Sequence, residues 1–336
     1  MSPTAADIAR AYALTRQTTI RTPLIEVAAF AEASGAARVF VKAESLQKAG
    51  SFKIRGATWR LAQLTEVERK QGVIAFSSGN FAQGLAAAGK AAGVPVTIVM
   101  PGDAPEVKRR ATEGYGARVV LSHHGDRPRE EVASALARHL AGEQGLTLLH
   151  PFDDPAVVAG QAGVAVEALE QMAELGQAPD LVAAPTGGGG LIAGMALATR
   201  AALPGAEIWA VEPEGFDGMG RSLTAAAIGR VAPGAQSLCD ALQATAPGAA
   251  PFAAAQAAGV RGCAVGDTAV RRAMIAAFEQ LKLVLEPSGA AAIAALLSGQ
   301  LPVKGRTVLL VASGGNIAFE TFVALTRAAP EDGRTQ

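Results

Sequence analysis

The sequence predicts an α/β protein of two lobes, each a parallel-type sheet flanked by helices. Three observations lead there. Short, almost wholly apolar runs alternate with helix-sized segments from end to end. Those runs are continuous rather than alternating, as in strands covered on both faces. The chain has 336 residues, half of them hydrophobic and only 18% charged, enough for two cores.

In chain order, Val39-Phe40-Val41 precedes a helical pattern opened by Lys53, for which Ser51 is the expected N-cap. Four strand-like runs follow: Val73-Ile74-Ala75-Phe76, Val96-Thr97-Ile98-Val99-Met100, Arg118-Val119-Val120-Leu121 and Leu146-Thr147-Leu148-Leu149. Each is separated from the next by a helix-length segment, which is a repeated βα unit. A second series comprises Leu181-Val182-Ala183-Ala184, Ile208-Trp209-Ala210-Val211 and Val308-Leu309-Leu310-Val311. The expected division is a smaller inserted domain at 72–149 and a larger, cofactor-binding domain from 1–71 plus 150–330. The last helix is expected to end near Arg327, and 331–336 to form a disordered tail.

Thirty basic residues balance thirty acidic ones, so nothing points to a nucleic-acid partner. Cys239 and Cys263 are too few for a disulfide framework and lack metal-ligand spacing. No basic start followed by an apolar stretch is present, and no run reaches about 18 apolar residues. The expectation is a soluble cytoplasmic protein with no membrane partner.

Lys53 stands between Phe52 and Ile54 at a helix start. A snorkelling surface lysine is the ordinary alternative; an amine kept desolvated and neutral to attack a carbonyl is the chemical one. Gly187-Gly188-Gly189-Gly190 lie between a strand and the helix beginning Leu191-Ile192. Without Cβ atoms, their successive N–H groups can close around a phosphate while the helix N-terminus faces its charge. The same run imitates a dinucleotide fingerprint, Gly188-x-Gly190-x-x-Ala193 followed by a strand ending at Glu212. An NAD-dependent oxidoreductase is therefore the alternative from another class, but it leaves Lys53 unexplained. It also ignores Ser77-Ser78-Gly79-Asn80 and Ser313-Gly314-Gly315-Asn316, each at a strand-to-helix junction. His123 and His124 near Asp126 suggest a metal cluster, yet a solvated polar loop is the simpler reading.

These four runs, in this order, resemble the pyridoxal-phosphate enzymes of the serine/threonine dehydratase and serine racemase family. The similarity extends from about residue 20 to about residue 327. It implies a tryptophan synthase β-like fold, the type II fold of pyridoxal 5'-phosphate enzymes, and a homodimer. By resemblance, Lys53 is the Schiff-base residue and proton shuttle, with Phe52 beside it, and Gly187, Gly188, Gly189 and Gly190 hold the cofactor phosphate. Ser313 would meet the pyridine nitrogen, Asn80 the phenolic oxygen, and Glu286, in Glu286-Pro287-Ser288-Gly289, would border the ring. Ser77, Ser78, Gly79, Asn80 and Phe81 would form the substrate-carboxylate loop, with Ser78 placed as the acid or base on the second cofactor face. The implied reaction converts a β-hydroxy amino acid such as L-threonine or L-serine into a 2-oxo acid and ammonia. Serine racemisation and 3-hydroxyaspartate dehydration are the alternatives within the family.

Four departures stand out. Phe81 replaces the usual His, Ala162-Gly163 replace Gly-Thr, and Ala241 follows Asp240 where Gly is common. In the metal-activated relatives a Glu, a carbonyl four residues on and an Asp two beyond hold a cation. Here the series reads Glu212, Phe216 and Gly218, one carboxylate short, so no metal ligand is assigned and a divalent cation is doubtful.

Overall fold

The structure, a computed structural model, describes residues 2–123, 125, 127, 129–232 and 234–327. Its strands are β1 Leu24–Glu26, β2 Arg38–Lys42, β3 Val73–Phe76, β4 Val96–Pro101 and β5 Arg118–Ser122. They continue with β6 Thr147–Leu149, β7 Leu181–Pro185, β8 Glu207–Pro213, β9 Arg261–Val265 and β10 Thr307–Val311. A six-stranded sheet runs β1-β2-β10-β7-β8-β9, and a four-stranded sheet runs β5-β4-β3-β6. Every pairing is parallel except β1 with β2 at one edge.

The continuous apolar runs are explained by the packing. Val39 and Val41 of β2 and Val308 and Leu310 of β10 enter one core cluster, while Phe40, Leu309 and Val311 enter the cluster on the other face. The smaller sheet repeats this, with Val73, Ala75 and Ile98 on one side and Ile74 and Val99 on the other. Alternate side chains point to opposite faces, so a strand covered by helices on both needs apolar residues at every position. Each Val, Leu, Ile or Phe side chain so buried contributes about 1.5–3 kcal/mol.

Two strands lay outside the sequence expectation. β1 has three residues, and β9, Arg-Gly-Cys-Ala-Val, is an edge strand whose burial falls off toward Arg261. Ser51 is also not the cap of the Lys53 helix. Its backbone is extended (φ −164°) and bridges Gly314, the N-cap is Phe52, and the Ser51 hydroxyl is buried without a hydrogen-bond partner. The residue one step too early is committed to pairing, so it cannot turn back onto the helix amides. Of the possible His123–His124–Asp126 metal cluster, His124 and Asp126 lie outside the described residues, as does the 331–336 tail. No helix among the described residues is long and apolar enough to cross a membrane.

Candidate active site

Parallel strands deliver their carboxyl ends, and the loops after them, to one side of each sheet. β3 ends at Phe76 and passes into Ser77-Ser78-Gly79; β7 ends at Pro185 and passes into Thr186 and the four glycines; β10 ends at Val311, two residues before Ser313. All three loops line one cavity. It also contains Phe52, Lys53, Asn80, Phe81 and Glu286, so every site residue expected from sequence is brought together.

Lys53 opens the helix Lys53–Ala62, which two neighbours hold closely. A Cβ on Gly84 would lie 2.9 Å from the backbone nitrogen of Ile54, and one on Gly160 would lie 2.6 Å from Gly56 Cα. Only glycine lets these backbones approach so near. A buried ion network anchors the same helix. Arg55 donates to Glu44 at 2.8 Å and to Glu167 at 2.7 Å, and Lys42 donates to Glu167 at 2.7 Å. Burial works against ionisation of Glu167, but Arg55 and Lys42 outweigh it and hold its pKa below the usual carboxylate range. Lys42 is thus buried but fully engaged, away from the cavity.

Lys53 differs from Lys42. Its Nζ lies 5.1 Å from the centroid of the Phe52 ring and makes no hydrogen bond among the described residues. Burial pushes its pKa down to about 8, with the nearby Glu286 carboxylate pulling the other way. An amine in that state is neutral in substantial fraction near neutral pH.

Glu286 is 1% exposed, and burial pushes its pKa up to about 7 against the charges of Lys108 and Lys53. Its Oε1 accepts from Asn80 Nδ2, whereas Oε2 is buried without a partner. Asn316 donates from Nδ2 to Asn80 Oδ1 at 2.8 Å, so the two Ser/Gly–Asn runs meet directly. Phe52 N–H donates to the Ser313 carbonyl at 3.3 Å, which ties the end of β10 to the lysine. Gly79 N–H donates to Ser77 Oγ at 3.2 Å, which folds that loop, and Ser78 lines the cavity beside it.

Three helices begin at this cavity: Asn80–Ala92, Gly190–Ala202 and Pro287–Leu297. Their free amides and dipoles make the cavity receptive to anions. The glycine run is shaped for close approach. Gly189 has φ +98°, a Cβ on Gly187 would lie 3.0 Å from Leu242 Cα, and a Cβ on Gly188 would enter the Phe152 ring. Phe152 in turn stacks edge-on against His150, with centroids 4.6 Å apart, and the His150 Nδ1 accepts from Asp153 N–H at 2.8 Å.

A pyridoxal-phosphate enzyme model matches residues 15–314. The chain belongs to that family. It is 35% identical to the L-threo-3-hydroxyaspartate ammonia-lyase of Saccharomyces cerevisiae over 99% of both chains. It is 38% identical to the L-threonine ammonia-lyase of Thermotoga maritima, over 93% of this chain and 75% of that protein. Among solved structures, maize serine racemase superposes with a TM-score of 0.89 at 32% identity, covering 96% of this chain and 97% of that one. The fold is therefore that of the type II pyridoxal-phosphate enzymes, and the protein is an enzyme dependent on that cofactor.

The residues present fit the cofactor: a glycine cradle at a helix start, an unpaired lysine amine, and an orphaned Glu286 oxygen share one cavity. The nicotinamide alternative fails on family membership and on Glu212. That carboxylate is 1% exposed and accepts from Met219 N–H at 2.7 Å and Gly220 N–H at 2.8 Å, so it presents nothing to a ribose. Burial pushes its pKa up to about 8.

Sequence reasoning passed over Lys108, Asp240 and Thr186, which line the cavity as well. Thr186 directly precedes the glycines, a signal that was available. Lys108 sits in Glu106-Val107-Lys108-Arg109-Arg110, a run that reads as an ordinary charged helix surface. Of the departures, Phe81 is 2% exposed in the cavity wall, and Ala241 N–H donates to Ser288 Oγ at 3.0 Å.

Proposed function

We propose that the protein is a pyridoxal-phosphate-dependent ammonia-lyase that eliminates water from a β-hydroxy amino acid, such as L-threonine or L-serine; hydrolysis of the resulting imine then returns one water and releases a 2-oxo acid and ammonia. The observation that carries this reading is the lone neutralisable amine of Lys53 in the same cavity as the glycine cradle and the Ser77–Phe81 loop. Bound pyridoxal phosphate supplies an aldehyde carbon for the substrate amine and a ring that withdraws electrons from the substrate α-carbon.

The chain's own residues do the rest. Gly187 to Gly190 would hold the phosphate at the start of their helix, and the amides of Ser78 and Asn80 the substrate carboxylate at the start of another, with Gly79 N–H folding that loop onto Ser77. Lys53 Nζ would take the α-proton and return it during departure of the β-hydroxyl as water. Ser313 would place a hydroxyl rather than a carboxylate beside the ring nitrogen; a hydroxyl would not force protonation there, and the milder electron sink would suit elimination. Asn80 would meet the oxygen substituent of the ring, and Glu286, which accepts from Asn80 and whose pKa burial raises to about 7, would border the ring. Phe52 would pack beside the lysine and Phe81 in the wall of the substrate pocket.

The likeness to maize serine racemase supports a second reading in which Ser78 serves as acid or base on the opposite face. The two readings share one cavity and differ in product. We further propose the 72–149 and 1–71 plus 150–330 division as the working lobes. A cytoplasmic homodimer would cover Phe319 and Phe278, which are 74% and 51% exposed.

The test incubates the holoenzyme with L-serine, L-threonine and L-threo-3-hydroxyaspartate and follows ammonia, 2-oxo acid and the D-enantiomer. Equal amounts of ammonia and 2-oxo acid are expected. A D-enantiomer formed with little ammonia would favour the racemase instead.

A further inference from the structure

We propose that Lys108 receives a second carboxylate on the substrate and that Asp240 is its displaceable counter-ion. The site then favours β-hydroxy amino acids with an acidic side chain. This deepens the lyase reading above and rests on it.

Lys108 and Asp240 line the same cavity as Lys53, from opposite lobes. Lys108 lies on the helix Glu106–Gly114 beside the four-stranded sheet, and Asp240 begins the short turn Asp240–Leu242 near the larger sheet. Lys108 Nζ donates to Asp240 Oδ2. The two partners are unequal. The Lys108 side chain is 9% exposed and the Asp240 side chain 51% exposed. Burying an ammonium is costly unless a partner compensates it. Asp240 can leave for water at little cost; Lys108 cannot.

The cavity's other cation, Lys53, is committed to the cofactor in the reading above, and the loop amides to the α-carboxylate. Lys108 remains for a further anion. Glu286 also acts on Lys108 from within the cavity without a hydrogen bond to it, and Arg129, paired with Asp103 at 3.3 Å, adds positive charge within range. A substrate carboxylate that takes the place of Asp240 exchanges one anion for another, so the buried ammonium is never left unpaired. The hydrogen or methyl group of L-serine or L-threonine requires no cation there. It would leave Lys108 to Asp240 and gain nothing from either.

The experiment compares holoenzyme with Lys108→Gln, Lys108→Arg and Asp240→Asn. It measures kcat/KM for L-threo-3-hydroxyaspartate, L-serine and L-threonine, and succinate binding by calorimetry. Lys108→Gln should lower the ratio of kcat/KM for hydroxyaspartate over L-serine by at least about 30-fold, mainly through KM, and weaken succinate alike. Lys108→Arg should recover part of both. Asp240→Asn should tighten succinate severalfold, because the competing anion is gone.

If Lys108 merely latches the lobes together, Lys108→Gln lowers all three substrates equally, and Asp240→Asn weakens succinate. Either result overturns the proposal. Turnover of L-serine and L-threonine with succinate bound no better than acetate would overturn it while leaving the lyase reading intact. No turnover of any substrate, with succinate binding that still depends on Lys108, would instead sink the lyase reading and uphold the receptor.

Discussion

Lys53 and Glu286 are buried in one cavity, and the charge of each acts on the other. Burial lowers the lysine to about 8 and raises the carboxyl to about 7, and each charge pulls its partner back toward the ionised form. Only the neutral amine attacks an aldehyde. Cofactor capture by the cofactor-free protein should therefore accelerate with rising pH and level off above about 8, not above the value near 10.4 of a free lysine. Glu286→Gln removes the charge that favours the ammonium, so the inflection should move lower. Stopped-flow absorbance across pH 6–11 checks both. An inflection near 10, or an upward shift in Glu286→Gln, would contradict this assignment. At this scale the sequence was informative for Lys53, because a lysine flanked by Phe52 and Ile54 is unusual on a solvated face. It was silent for Lys108, whose partner Asp240 lies 132 residues away in sequence.

Elements matter through their starts. The cavity draws its anion affinity from helices beginning at Asn80, Gly190 and Pro287, and the glycine run brings one of them within reach. Gly188→Ala would drive a methyl group into the Phe152 ring, which His150 backs edge-on. Overpacking of this kind costs about 1–3 kcal/mol, so the cofactor Kd should rise about 10- to 100-fold. Fluorescence titration of the cofactor-free variant measures it; an unchanged Kd would show that the run is only a turn. Strand positions were legible wherever both faces are covered, as in Val73–Phe76. β9 escaped because Arg261 and Gly262 break the apolar run at a sheet edge, and Ser51 misled because a cap and a paired residue share one composition.

Across the whole molecule, the site exists because two sheets of parallel strands bring their carboxyl ends to one cavity. Contacts between residues far apart in sequence hold it together. Asn80 meets Asn316 across 236 residues and Glu286 across 206. The motifs announced which residues belong together, but no spacing in the chain announces these pairings, which arise only from the order β1-β2-β10-β7-β8-β9 beside β5-β4-β3-β6. This convergence should make Lys53 the cofactor's covalent partner, although Lys42 and Lys108 are also buried. Borohydride reduction of the holoenzyme followed by peptide mapping tests it most directly. The pyridoxyl group should be found on the peptide containing Lys53, and Lys53→Ala should lose the visible absorbance. A stable pyridoxyl adduct on Lys42, Lys108 or any other lysine, with Lys53 unmodified, would contradict it.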